Sequence, residues 1–234
     1  MTKEVPVQQV LELACAAERV NKGYVKEIQA LFAVADNAAT DKVMAFVQPN
    51  KMHIQFTLNL ISWNGDPASA PVLLKVTQED KELAEEIRSY FRRLMFAAVT
   101  GENEFQTKVN SLLFTENMPV NEIGYVACLP SVYKRDYARN QINKRIKTVD
   151  EEYLAPIGSN ILDKDCEVLS CQRSKNFDAW NVDAIIENKM VSWMSKVDLK
   201  PGACVVVKAK VKDHSKHWKH ETPVTRLNYV KAAQ

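Results

Sequence analysis

Glycine is scarce in this chain, six residues in 234, and none stands in a G-x-x-x-x-G-K-S/T or a G-x-G-x-x-G arrangement. Without such a turn the backbone has no ready cradle for nucleotide phosphates, so P-loop and dinucleotide-binding chemistries are set aside. Gly-x-Ser-x-Gly and His-Glu-x-x-His are also missing, which removes the nucleophile elbow and the zinc-protease helix. The five cysteines (Cys15, Cys128, Cys166, Cys171 and Cys204) are odd in number and scattered, with no C-x-x-C and no N-x-S/T sequon. That pattern opposes a secreted disulfide scaffold and predicts reduced thiols. Nor does any uncharged apolar run approach the roughly 18 residues of a membrane span. Lys3, Glu4, Glu12, Glu18 and Arg19 interrupt the segment where a signal peptide would need its apolar stretch. The expectation is a protein without membrane association that stays in the cytoplasm where it is made, a host cytoplasm if it is viral.

What is present is the composition of a globular protein: 46% hydrophobic and 26% charged residues, enough chain for two domains. The net charge of +2 is unevenly spread. Residues 1–130 carry 12 Lys and Arg against 16 Asp and Glu, a net −4, while residues 131–234 carry 19 against 13, a net +6. The asymmetry points the second half towards an anionic partner.

In the first half, Val10, Leu11, Leu13, Ala14, Ala17 and Val20 recur at helical spacing, with Gly23 placed to end the helix. A second helix is expected through "YVKEIQALFAVA". Three strands follow in "VMAFVQ", "KMHIQFTLNLISW" and "APVLLKVT", separated by Pro-Asn and Asn-Gly-Asp-Pro turn signals. Thr77 then caps a long helix whose stripe is Leu83, Ile87, Tyr90, Phe91 and Leu94, ending near Gly101. Another helix is expected in "FQTKVNSLLF", a buried strand in "IGYVACLP", and a basic helix or linker in "SVYKRDYARNQINKRIK". The sum is an α+β domain over residues 1–150, an antiparallel sheet with helices.

From Ile161 onward five strand-like runs succeed one another: "KDCEVLSCQRS", "FDAWNVDAIIE", "KMVSWMS", "ACVVVKAKVKDH" and "PVTRLNYVKA". Glu187-Asn188-Lys189 and Leu199-Lys200-Pro201-Gly202 supply turns. In the fourth run Val205, Val207, Ala209 and Val211 are expected to face a core, with Lys208, Lys210 and Lys212 outward. By the same alternation Trp180 and Tyr229 are assigned to the core. Five short strands with a polar loop between the last two are the complement of an OB-fold, a small Greek-key barrel. Residues 151–234 are therefore expected to form an all-β, OB-fold-like barrel.

A resemblance adds to that reading. Gly202, Val205, Val207, Lys208, Ala209, Val211, Lys212 and His214, followed by Thr225, Leu227, Val230 and Lys231, resemble the closing strands of the terminal OB-like module of uncharacterised bacteriophage DNA-metabolism proteins. The likeness covers about residues 155–232. Those modules usually carry a glycine between the last two strands, where "SKHWKHET" has none. The resemblance implies a single-stranded-DNA-binding-like module in a phage replication or recombination setting and carries over no catalytic residue.

The stretch 208–231 holds three His, one Trp and six Lys against two acids. His214, His217 and His220 raise the question of a metal, but five lysines between 208 and 219 would repel a divalent cation. No metal and no cofactor are expected. Polynucleotide binding suits these residues better, because lysines displace counterions from phosphates and an exposed tryptophan offers a base a flat surface. The residues assigned to this surface are Lys208, Lys210, Lys212, His214, Lys216, Trp218, Lys219 and Arg226, with Phe177, Arg173 and Lys175 beside them. The basic stretch contributes Lys134, Arg135, Arg139, Lys144 and Arg145. The expected partner is single-stranded DNA or RNA, with a protein partner or self-association through residues 1–130. Two alternatives stand beside this non-catalytic reading: a protein-interaction adaptor using the same barrel, and a metal-dependent nuclease built on Asp66, Glu79 and Lys75 in the first domain.

Overall fold

The computed structural model describes residues 3–32, 44–97 and 104–233. The chain divides into two compact units, Met1–Asp136 and Tyr137–Gln234. The division falls inside a helix, ahead of the 150/151 boundary read from the sequence.

The first unit is α+β. Strand β1 (Glu4–Pro6) leads directly into helix α1 (Val7–Asn21), whose Val7, Val10, Leu11, Leu13, Ala14, Ala16 and Ala17 are all buried. A helix apolar on nearly every side belongs at the centre of a unit, and α1 is that centre. It stops where Lys22 turns left-handed (φ 55) and the Gly23 N–H donates to the Glu18 carbonyl at 2.9 Å. Strands β2 (Gln29–Phe32) and β3 (Met44–Val47) form an antiparallel pair, followed by α2 (Asn50–Thr57), α3 (Gln78–Ala97) and α4 (Glu104–Phe114). Then come β4 (Asn117–Pro119), which pairs with β1, the short α5 (Ile123–Ala127) and α6 (Leu129–Ile146). Helix α3 opens on a reciprocal cap. The Asp80 N–H donates to Thr77 Oγ1 at 3.3 Å and the Thr77 N–H donates to Asp80 Oδ2 at 2.9 Å. Ala84, Ile87 and Phe91 then turn inward from α3.

Several expectations for this unit are corrected. The "YVKEIQALFAVA" segment holds strand β2 rather than a helix, and the end of that segment lies outside the described residues. "KMHIQFTLNLISW" is not a strand: α2 begins at Asn50 and buries His53 and Ile54. Its β-branched and aromatic side chains are a weak preference that tertiary burial overrides. "APVLLKVT" has no regular structure, and "IGYVACLP" is helical in α5 rather than extended.

The second unit is a closed five-stranded barrel. Its strands are β5 (Asn160–Arg173), β6 (Trp180–Ile186), β7 (Lys189–Ser195), β8 (Gly202–Lys216) and β9 (Pro223–Ala233). Their order is β5-β6-β7-β9-β8, closed by β8 on β5. All neighbours are antiparallel except β7 and β9, which run parallel from Met190 opposite Val224 to Ser192 opposite Arg226. The long first strand serves two partners, β8 along its first part and β6 along its second. This is the order and handling of strands in a small OB-like barrel. Between β6 and β7 the turn residues Glu187 and Asn188 have φ 49 and 58, the two left-handed centres of a type I′ hairpin.

Inside lie Ile161, Val168, Val182, Ala184, Val191, Trp193, Val206, Ala209, Val211 and Leu227. Ile142 and Ile146, from the part of α6 that belongs to this unit, join Val149 against Leu169, Ile185, Met190 and Val224. That contact covers the outer side of the barrel at one end of β6, β7 and β9 and leaves the other end uncovered. Arg145 pins the arrangement, with Nε 3.0 Å from Glu167 Oε2 and Nη1 3.2 Å from Asn188 Oδ1.

The alternation expected for β8 holds only from Ala209 onward. Val205 and Val207 are exposed and Val206 is buried. The pairing with β9 shifts between Val206 and Lys208 and again before Lys210, so a bulge turns both Val207 and Lys208 outward. One extra residue in a strand reverses the faces of everything before it. Tyr229 is likewise outside the core, for the same reason on β9.

Candidate nucleic-acid interface

The uncovered face of the barrel is built by strand alternation. On β6 the even positions Val182 and Ala184 go to the core, so Asn181 and Asp183 point out; on β7 Val191 and Trp193 go in, so Ser192 and Met194 point out. Asn181 stands opposite Met194, and Asp183 opposite Ser192. Arg226 and Asn228 continue the face on β9, with Lys212 on β8. Together with Tyr229 they line an open cleft of about 480 Å³.

Three aromatic rings stand out of the barrel. Trp218 is 87% exposed, Tyr229 79% and Phe177 64%. Phe177 belongs to the loop between β5 and β6, Trp218 to the loop between β8 and β9, and Tyr229 to the wall of the cleft. Tyr229 has φ 51, and β9 skips a pairing partner there, with Asn228 opposite Lys210 and Lys231 opposite Lys208. A bulky side chain in the left-handed region is a costly conformation, and such residues gather at functional positions.

The loop that carries Trp218 is closed on itself. The His217 N–H donates to the Thr222 carbonyl at 2.8 Å and the Glu221 N–H to the His217 carbonyl at 2.9 Å. Glu221, at φ 55, takes the left-handed turn for which a glycine would be the easy choice. His217 and His220 stack with centroids 5.2 Å apart, and His220 Nε2–H donates to Asn143 Oδ1 at 3.0 Å. Partial burial, His217 and two nearby lysines hold the His220 imidazole below its ordinary pKa. Lys216 and Lys219 flank the tryptophan and are exposed.

The remaining sequence-assigned residues divide into those free on the surface and those already engaged. Lys208, Lys210 and Lys212 are exposed on the outer side of β8, and Lys175 is exposed beside Phe177. Arg226 is partly held by Asp213 at 3.5 Å. Arg173 bonds Asp178 at 2.9 Å and lies over the half-buried Trp180 ring at 5.9 Å. His214 is stacked on Tyr153 at 3.9 Å with Nε2–H donating to the Ala155 carbonyl at 2.9 Å, which makes it an anchor of the segment leading into β5.

The basic stretch is helical, and its residues are divided between the two units. Lys134 and Arg135 belong to the first unit, where Lys134 meets the buried Glu18 carboxylate at 3.3 Å and Arg135 meets Asp136 at 3.8 Å. Arg139 and Lys144 are exposed on the barrel unit, and Arg145 is tied to Glu167.

Sequence reasoning missed Asp183, Asn181, Ser192, Met194, Asn228 and Tyr229. The alternation of β6 and β7 carried the signal for the first four, since each occupies the parity opposite a core residue. Nothing in the sequence marks the bulge that turns Tyr229 out. Burial raises the Asp183 carboxyl above its ordinary pKa, a shift moderated by the Ser170 hydroxyl, 3.2 Å from Oδ2, and by His217.

Among the described residues no group of three or more His, Cys, Asp and Glu converges as a metal site would require. Among the described residues no helix is long and apolar enough to cross a membrane. No protein-family model, no curated protein and no solved structure matches the chain.

Proposed function

We propose that this protein binds single-stranded nucleic acid on the open face of its C-terminal barrel and performs no catalysis of its own. The observation that supports the reading is that an OB-like barrel carries three solvent-facing rings, Phe177, Trp218 and Tyr229, and several exposed lysines. In barrels of this kind the face of the second and third strands, with the loops after the first and fourth, is where oligonucleotides lie. Here those are β6 and β7, with the loops carrying Phe177 and Trp218. Stacking supplies sequence-tolerant affinity, about 1–3 kcal/mol per base, and Lys208, Lys210, Lys212, Lys216 and Lys219 supply the salt-dependent part. The setting we propose is an accessory role in phage-type replication, recombination or transcription, with the first unit providing a partner contact or self-association.

A labelled oligonucleotide titrated at two salt concentrations tests the reading. Binding is expected at low salt, weakening steeply as salt rises, and weakening again in Trp218→Ala and in the Lys210→Glu, Lys212→Glu double variant. No binding at low salt, or full affinity in both variants, defeats it.

A second reading rests on a separate feature. Leu162, Val205 and Val207 are exposed apolar residues on β5 and β8, available to a protein partner. That adaptor reading predicts a complex in pull-downs that nuclease treatment leaves intact.

A further inference from the structure

We propose that the cleft of β6, β7 and β9 reads guanine within a bound single strand, with Asp183 as the reading group. The inference rests on the nucleic-acid reading above and adds a base preference to it.

Asp183 is the sole acid among the residues that line the cleft, which otherwise offers Lys212 and Arg226 as charges and Asn181, Ser192, Asn228 and Tyr229 as polar groups. A carboxylate in that position repels phosphate. A strand crossing this face must therefore set its backbone towards the cations and turn a base towards Asp183. The Ser170 hydroxyl donates to Oδ2 and takes one of its two lone pairs, so Oδ1 and the other lone pair of Oδ2 can each accept a donor. The half-buried carboxylate is thus an acceptor awaiting a donor.

The four bases answer that demand differently. Guanine alone presents two adjacent donors, N1–H and the N2 amino group, on its Watson–Crick edge, and both can address one carboxylate. Adenine and cytosine place their amino donor beside a ring nitrogen whose lone pair repels the carboxylate. Thymine and uracil place a single N3–H between two carbonyls, which repel it from both sides. A two-point contact of this sort discriminates against the wrong base by a large factor. The other lining groups complete the fit. Asn181, next outward on β6, carries an amide N–H suited to guanine O6, and Met194 and Tyr229 offer flat or soft surfaces for the purine ring. A carboxylate in such a cleft also suits an arginine side chain of a protein, and the test separates that occupant.

The experiment is fluorescence anisotropy on the full chain with a labelled oligothymidine carrying one central dG, dA, dC or deoxyinosine, at low salt in lithium buffer. The dG oligonucleotide is expected to bind roughly tenfold more tightly than all-thymidine. Deoxyinosine, which keeps N1–H and lacks the N2 amino group, falls between them. Asp183→Asn brings the dG affinity down to the level of the other bases. Lys212→Glu weakens every oligonucleotide alike and keeps the dG ratio, which guards against reading a folding defect as a loss of recognition. Binding of all oligonucleotides with equal affinity by the unmodified protein overturns guanine reading and leaves the proposed function standing. Equal affinity for dG and deoxyinosine overturns the two-donor contact. No binding to any oligonucleotide overturns the proposed function itself. Asp183-dependent binding of a labelled arginine-rich peptide in that last case assigns the cleft to a protein ligand.

Discussion

Replacing Tyr229 by glycine and, separately, by alanine tests whether this residue is held in a costly conformation for binding. Tyr229 sits at φ 51 with 79% of its surface exposed. Removing the ring therefore forfeits little burial. The left-handed backbone costs an L-residue about 1–2 kcal/mol, and alanine keeps that cost while glycine is free of it. Against this, glycine makes the unfolded chain more flexible, which opposes folding by about 0.5–1 kcal/mol. The balance favours Tyr229→Gly over Tyr229→Ala by about 1 kcal/mol, the reverse of the order found in an ordinary strand. For a unit of this size that difference is a Tm gap of roughly 4–8 °C. Differential scanning calorimetry, following the transition of the barrel unit, reads it directly. Both variants should lose oligonucleotide affinity to the same degree, roughly tenfold, as the loss of one stacking surface requires. Alanine as stable as glycine or more so refutes the conformational argument. Undiminished affinity in both variants removes Tyr229 from the binding surface.

Two further predictions concern stability and reactivity. Burial works to raise the Asp80 carboxyl, but the Arg19 guanidinium and the Thr77 N–H and hydroxyl outweigh it and hold Asp80 below its ordinary pKa. The stability this contributes is complete above the unfolded carboxyl's range and is lost as pH falls through the folded value. Asp80→Asn should therefore cost about 2 kcal/mol at pH 7 in denaturant titrations, with the gap to the unmodified protein narrowing as pH falls below the ordinary carboxyl range. A gap that stays constant as pH falls refutes the role given to the charge. Burial also pushes the Cys15 and Cys166 thiols up to about 12, so neither should react with a thiol reagent at pH 8 until denaturant is added. Rapid labelling of either in the native protein contradicts the packing described for it.

The barrel was legible because its signals agree at two levels. Its five runs alternate core and surface residues with period two, and Glu187-Asn188 and Pro201-Gly202 mark turns in the right places. The bulges were not legible, since an extra outward residue at Val207 or Tyr229 leaves no compositional trace. That is why Val205, Val207 and Tyr229 were assigned to the wrong face. In the first unit the α1 and α3 periodicities were long enough to decide. The α2 segment was not: its eight residues, Asn50–Thr57, mix Ile, Phe and Thr, and burial of Ile54 against α1 and its neighbours overrides their strand preference. Of the proposed binding surface, the exposed Trp218 and Phe177 and the β8 lysines were readable. The grouping of Asn181, Asp183, Ser192 and Met194 was not, because it depends on which strands become neighbours across the closed sheet.

The parallel pairing of β7 with β9 bears on how the barrel assembles. Met190 meets Val224 only after the whole of β8 has been threaded past β5, so closure is a long-range event whose loop entropy falls due before its contacts form. The first unit is no more local, since α1 packs against α3 and α5 far along the chain. Until barrel closure is complete, β7 presents an unprotected edge to any neighbouring strand.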